Sequence, residues 1–354
     1  MRGVSIELLP DPPATEVLSA ICAADELGLH TAFLADEIYH RDAWLILAAA
    51  AQRTTRIRLA PGVAHVTLRD PLLAAQQLAT LDELTGGRAA AAFSVGNLAM
   101  LEQFGFDPAE LHVAPRLREA HDAMRSLLDS GQADMDGRFH RYHGVFTNAR
   151  AVSDRVPLLL GAMGGPLTFR MAGEIADGVY AACSFSPTAL DYIVSNVRRG
   201  ADQAGRDWRT LELCASLTCA VSEDRESAKA AARAKAAFYL PSMPRKLVER
   251  HGVSYAEVEP ICQAFASGDV AEALRRTPDE LADRFCIAGT PEDIVDRIRS
   301  DVLPSGIDHV VLALTDRGLA RDWAGLDLPG LPPLEDQVRL IGTRILPELS
   351  AQLV

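Results

Sequence analysis

The chain has 354 residues, 48% hydrophobic and 23% charged, enough apolar material for a large core and too much for wholesale disorder. A formal charge of −13 argues against nucleic acid or an anionic membrane surface as the main partner. No run approaches the ~18 apolar residues of a membrane span, and the N-terminus passes into Asp11 and two prolines instead of a secretory leader, so a cytoplasmic protein is expected.

In chain order, short apolar runs alternate with helix-patterned stretches. Val4–Leu9 reads as a strand, and Thr15–Leu27 as a helix ended by Gly28. Thr31–Ala35 is the second strand, followed by Asp36 and Glu37 and then a helix over Ala43–Ala51. Ile57–Ala60 is a strand stopped by Pro61-Gly62, and Pro71 opens a helix that Gly86-Gly87 terminates. Ala89–Val95 is strand four, leading to Gly96, with a helix around Arg116–Leu128 and then a polar, loop-like excursion through Gly131, Gly137 and Gly144. Pro157–Gly161 and Gly178–Ala182 are strands five and six, followed by helices over Leu167–Ala176 and Leu190–Ala204. Leu211–Val221 is strand seven, Asp308–Leu314 strand eight, and Gln337–Leu346 a closing helix.

Eight strand-then-helix units with near-continuous apolar strands predict a (β/α)₈ TIM barrel, one domain over residues 1–354. The stretch 222–305 is too long for one crossover. It is expected to be a helical insertion between strands seven and eight, and a candidate lid, because insertions after barrel strands overhang the mouth.

Residue usage narrows the chemistry. All three lysines lie beyond residue 228, which removes a Lys-ended phosphate loop and disfavours a Schiff-base barrel enzyme. The six cysteines include no Cys-x-x-Cys pair, and Cys214 and Cys219 read as small core residues. His140 and His143 form the only close histidine pair, without a third ligand of matching spacing, so they read as exposed loop residues and no metal site is expected.

Four strand ends carry informative residues at the face where barrels place their sites. Asp36-Glu37 offers paired carboxylates for acid–base work, although Asp36 would also serve as a helix cap. Pro61-Gly62-Val63-Ala64-His65 could bring backbone close to a flat ligand, or be a plain turn. Gly96-Asn97 reads as a turn or as an amide facing a heteroaromatic edge. Gly161-Ala162-Met163-Gly164-Gly165-Pro166 opens a helix whose free N–H groups suit an anion without any lysine.

With Ala79-Thr80-Leu81-Asp82-Glu83-Leu84-Thr85-Gly86-Gly87-Arg88 and Gly289-Thr290-Pro291-Glu292-Asp293, these segments give a chain that resembles the luciferase-like flavin and deazaflavin oxidoreductases along nearly its whole length. Within them it looks most like the coenzyme F420-dependent methylenetetrahydromethanopterin reductases and their actinobacterial relatives, with Arg69-Asp70-Pro71 and the segment 170–178 of that kind. The resemblance implies a non-prolyl cis bond at Gly62-Val63, forming a bulge behind the deazaflavin ring with Ala64 beside it. It implies Gly96 and Asn97 next to the ring, Asp36 near the cofactor, and the 161–166 turn, above all Gly164 and Gly165, at the cofactor phosphate.

Two departures stand out: relatives usually have His where this chain has Glu37, and an acid where it has Asn97. The leading expectation is hydride transfer between reduced F420 and a C=C or C=N bond of a small molecule, with Glu37 as first choice of proton donor and His65 second. An FMN-dependent monooxygenase and a non-catalytic cofactor-binding barrel are the alternatives. A homodimer is implied by the resemblance.

Overall fold

The computed structural model describes residues 1–182 and 185–350. Its strands are β1 (Gly3–Leu8), β2 (Thr31–Leu34), β3 (Arg58–His65), β4 (Ala91–Ser94), β5 (Gln132–Asp136), β6 (Arg141–Phe146), β7 (Leu158–Ala162), β8 (Gly178–Ala181), β9 (Glu212–Val221), β10 (Cys286–Gly289) and β11 (His309–Leu314). The helices that matter below are α1 (Ala14–Glu26), α2 (Ala43–Ala51), α3 (Pro71–Thr85), α4 (Leu98–Gln103), α5 (Val113–Ser130), α6 (Pro166–Ile175), α7 (Pro187–Gln203) and α8 (Arg225–Tyr239). The architecture is the expected closed, eight-stranded parallel (β/α)₈ barrel with surrounding helices.

Backbone contacts divide the chain into two compact units, 1–30 with 181–195 and 213–354, and 31–180 with 196–212. In the first, strand order runs β10-β9-β11-β1, all parallel. Val4, Ile6 and Leu8 are buried, and alternation sends Ser5 to the opposite face, where its Oγ meets His309 Nε2 at 2.5 Å. Cys214 and Cys219 are both buried, but Cys214 Sγ also lies 3.1 Å from His309 Nδ1. Cys183 lies outside the described residues. The stretch 222–305 holds α8 and further helices, including Arg245–Arg250, Tyr255–Ala266 and Pro291–Arg297, and also β10, which pairs with β9. Sequence reading missed this strand: four residues, Cys286–Gly289, are too few to show a period.

In the second unit the order is β2-β3-β4-β7-β8. The β2 segment Thr-Ala-Phe-Leu is buried at every position, as a parallel strand covered on both faces must be. The excursion after α5 is not a loop but an antiparallel hairpin of β5 and β6. Its residues are mostly exposed, so no apolar alternation announced it. His140, in the connection between them, is buried and stacks on Tyr142, correcting its reading as an exposed loop residue; His143 is exposed. Tyr142 donates to Asp70 Oδ2 (3.1 Å), the N-cap of α3, which explains the burial.

The Thr80–Arg88 motif is an anchor. Asp82 is fully buried and accepts from Val152 N, Ser153 N and Ser153 Oγ, each at 2.9 Å. Arg88 donates to the carbonyls of Thr54 (3.0 Å), Ile57 (2.6 Å) and Thr85 (2.8 Å), and so ties the entry of β4 to the entry of β3. A buried carboxylate and a guanidinium spent on backbone groups satisfy loops that would otherwise hold orphaned polar atoms.

Candidate active site

The informative residues all fall in the second unit, at the C-terminal ends of β2, β3, β4 and β7. Strand β3 does not stop at Pro61 as the sequence suggests. Pro61 sits opposite Leu34 in the ladder and the strand runs on to His65. Its register against β4 shifts between Gly62 and Ala64, which leaves Val63 as an extra residue in a bulge. The Gly62–Val63 peptide is cis.

Three glycines make this bulge sterically workable. A Cβ on Gly62 would lie 2.7 Å from Phe33 Cδ1, and a Cβ on Gly161 would lie 2.6 Å from Val63 Cγ1. Gly96 has φ +116°, and a Cβ there would come within 3.1 Å of His65 Cβ, so both conformation and space select glycine. Strands β2, β3, β4 and β7 therefore converge on Val63 and His65.

Asp36 is buried and its carboxylate is fully engaged. It accepts from Trp44 Nε1 (3.1 Å), Arg69 Nε (3.4 Å) and Arg69 Nη2 (3.3 Å), with the Arg69 guanidinium 5.7 Å from the Trp44 ring centre. This is a forked, charge-assisted pair that fixes the loop after β3 against the end of β2. Sequence reading noted Arg69 and passed over Trp44; neither was recognised as a partner of Asp36.

Glu37 is partly exposed. Its Oε1 accepts from Asn97 Nδ2 (3.4 Å), and Oε2 lies 3.9 Å from His40 Nε2. Glu37 and Asn97 are thus in contact. Asn97 Oδ1 in turn accepts from Met100 N (3.4 Å), so the amide also starts α4.

His65 is buried, and its Nδ1 has no hydrogen-bond partner; the same holds for Thr67 Oγ1 two residues on. Burial pushes the imidazole below its ordinary value, against the pull of the Asp36 carboxylate. The ring is therefore neutral near neutral pH, with an atom available to a ligand. A buried polar atom without a protein partner at the edge of a site is a mark of ligand binding.

The end of β7 is open in the way an anion needs. Gly161 and Ala162 close β7, Met163 and Gly165 are exposed, and Gly164 and Pro166 are partly so. Gly165 is the N-cap of α6, with no side-chain cap, and a Cβ at that position would meet nothing nearer than Thr168 Oγ1 at 3.9 Å. The first N–H groups of a ten-residue helix are left to a ligand or to water. The structure thus brings Asp36, Glu37, Gly62, Val63, Ala64, His65, Gly96, Asn97 and Gly161 into one contiguous set, from which the Met163–Pro166 turn continues.

A family model described as luciferase-like monooxygenase matches residues 3–309. The 5,10-methylenetetrahydromethanopterin reductase of Methanopyrus kandleri is 29% identical over 358 residues, covering 98% of each chain. Among solved structures, the coenzyme F420-dependent tetrahydromethanopterin reductase from Methanopyrus kandleri superposes with a TM-score of 0.86 at 27% identity, covering 98% of each chain. An F420-dependent secondary alcohol dehydrogenase in complex with an F420-acetone adduct superposes with a TM-score of 0.78 at 19% identity, covering 99% of each chain, a likeness of fold.

Proposed function

The chain belongs to the luciferase-like monooxygenase family, and on that premise we propose that it is a coenzyme F420-dependent oxidoreductase, exchanging hydride between reduced deazaflavin and a C=C or C=N bond of a small molecule. The observation that carries F420 over FMN is the end-to-end likeness to the Methanopyrus reductase. Two features of the site fit such a cofactor: the Val63 bulge, kept clear by Gly96 and Gly161, and the uncapped α6 N-terminus.

A bound deazaflavin supplies hydride at a ring carbon, chemistry that no side chain offers. This chain's residues bind, orient and protonate. Gly62, Val63 and Ala64 would back the ring, with Gly96 and Asn97 at its edge. The Gly161–Pro166 turn would hold the phosphate through the N–H groups of α6. Asp36 acts through Arg69, as a positioning residue.

Glu37 is the proposed proton carrier, its Oε1 fixed by Asn97; the unpartnered Nδ1 of His65 is second choice. Because the resemblance implies other residues at positions 37 and 97, and Glu37 and Asn97 touch, the substrate is proposed to differ from the pterin of the archaeal enzymes, as a biosynthetic intermediate would. A cytoplasmic homodimer is proposed as the working form: Leu45 on α2 and Leu73 on α3 are 73% and 57% exposed on two helices that pack together. No helix is long and apolar enough to cross a membrane among the described residues.

Fluorescence titration of the purified protein with F420 and, separately, FMN tests the proposal. Tighter binding of F420 is expected. Preferential FMN binding would overturn it in favour of an FMN-dependent monooxygenase.

A further inference from the structure

Two side-chain bridges join the loop after β2 to the segment after β4. Glu37 Oε1 accepts from Asn97 Nδ2 (3.4 Å), and two residues on, Tyr39 Oη donates to Gln103 Oε1 (2.9 Å) at the end of α4. Burial, and then the Glu37 carboxylate, push the Tyr39 phenol above its ordinary value, so this ring stands beside the proposed proton carrier. Each polar bridge is followed in sequence by a large apolar side chain: Ile38 after Glu37, Leu98 after Asn97 and Phe104 after Gln103. With the Tyr39 ring, these side chains are between 45% and 64% exposed. Singly, such exposure is ordinary. Four on two bridged segments, beside the site, mark a binding surface.

The charges around this surface select against an anion. No lysine or arginine occurs between Arg88 and Arg116, a stretch that carries Glu102, Asp107 and Glu110. In the loop after β2, Arg69 is taken by Asp36, and His40 lies 3.9 Å from Glu37. Arg41 is outnumbered there by Glu37 and Asp42. A carboxylate or phosphate brought to Glu37 would meet like charge, whereas a neutral hydrocarbon would meet four apolar side chains.

We propose that Ile38, Tyr39, Leu98 and Phe104 form the specificity surface for the substrate, and that the molecule reaching Glu37 is neutral and largely apolar. Its reacting double bond lies at Glu37 and its hydrocarbon part on these four side chains. The inference rests on the hydride-transfer reading and names its substrate class.

The test is isothermal titration calorimetry with straight-chain 2-alkanones of increasing length and with the carboxylates of equal length, on the protein with and without saturating F420. Ketone affinity is expected to rise about threefold per added methylene, as burial of a methylene group gives. Each carboxylate should bind at least about tenfold more weakly than the ketone of its length. Ile38→Ser and Phe104→Ser, at exposed positions, should each lower the gain per methylene with the circular dichroism spectrum unchanged. Ketone affinity independent of length, or carboxylates bound as tightly as ketones, overturns the apolar surface, while F420 binding in the same samples leaves the cofactor reading standing. Failure to bind F420 overturns that reading, and the cofactor-free titrations then decide the surface by themselves. Conversion of a dimer to a monomer by Phe104→Ser in light scattering would assign these side chains to a second copy of the chain and so overturn the proposal.

Discussion

Val63 occupies the space that a side chain on Gly161 would need: its Cγ1 lies 2.6 Å from where that Cβ would stand. Gly161→Ala is therefore expected to overpack the end of β7 and destabilise the protein by about 1–3 kcal/mol. Val63→Ala in the same chain should recover part of the loss, because the clash is between these two residues. Urea unfolding of the single and double variants measures both; an additive pair would refute direct packing.

The Asp36 carboxylate takes two hydrogen bonds from Arg69 and one from Trp44. Asp36→Asn keeps the shape and removes the charge, and a cost of about 2–3 kcal/mol is expected from charge-assisted bonds at a buried position. Cofactor affinity should fall as well, since the loop that Arg69 anchors follows directly on the strand that carries the bulge. A silent substitution in denaturant melts would show that the pair does not hold the loop.

Glu37→Gln should leave F420 affinity unchanged and lower turnover at least about tenfold, within the range of lost general acid catalysis. The amide keeps an oxygen for Asn97, so only the transferable proton is lost. Full turnover in this variant, with chemistry rate-limiting, would pass the role to His65 or to water.

Burial holds both His65 and His140 below their ordinary value, with Asp36 and Asp70 respectively pulling the other way. Each is neutral when folded at a pH where the unfolded chain already takes up a proton. Stability from these two groups is thus complete above about pH 6.5 and declines as pH falls from there to their depressed folded values. The melting temperature should drop across that window, and less steeply in His65→Gln/His140→Gln. An unchanged slope in the double variant would assign the acid sensitivity to other groups.

Replacing both Leu45 and Leu73 by Glu should convert a dimer to a monomer in light scattering, without loss of fold by circular dichroism. A wild-type monomer at micromolar concentration would remove the proposed assembly.

The succession of apolar barrel strands was legible because its physics is local. A parallel strand covered on both faces must be apolar throughout, as β2 is, and Gly62, Gly96 and Gly161 stand where backbone must pass close to backbone or side chain. What escaped was long-range pairing. Arg69 reaches Asp36 across 33 positions, and Tyr142 reaches Asp70 across 72. No spacing rule links such residues, so the anchor of the site and the burial of His140 emerge only once the chain is folded.

Asp82 and Arg88 have a consequence for how such chains are recognised. Both are spent on backbone carbonyls and amides that stitch the starts of β3 and β4 to a loop near residue 152, and neither has any part in the proposed chemistry. The stretch that most visibly marks the lineage is thus a fastening, blind to what happens at the other ends of the strands. Two chains can share it letter for letter and reduce different molecules. The residues proposed to meet the substrate, Glu37 and Asn97, lie at those other ends, where a change of two letters would go unnoticed by any comparison of the fastening.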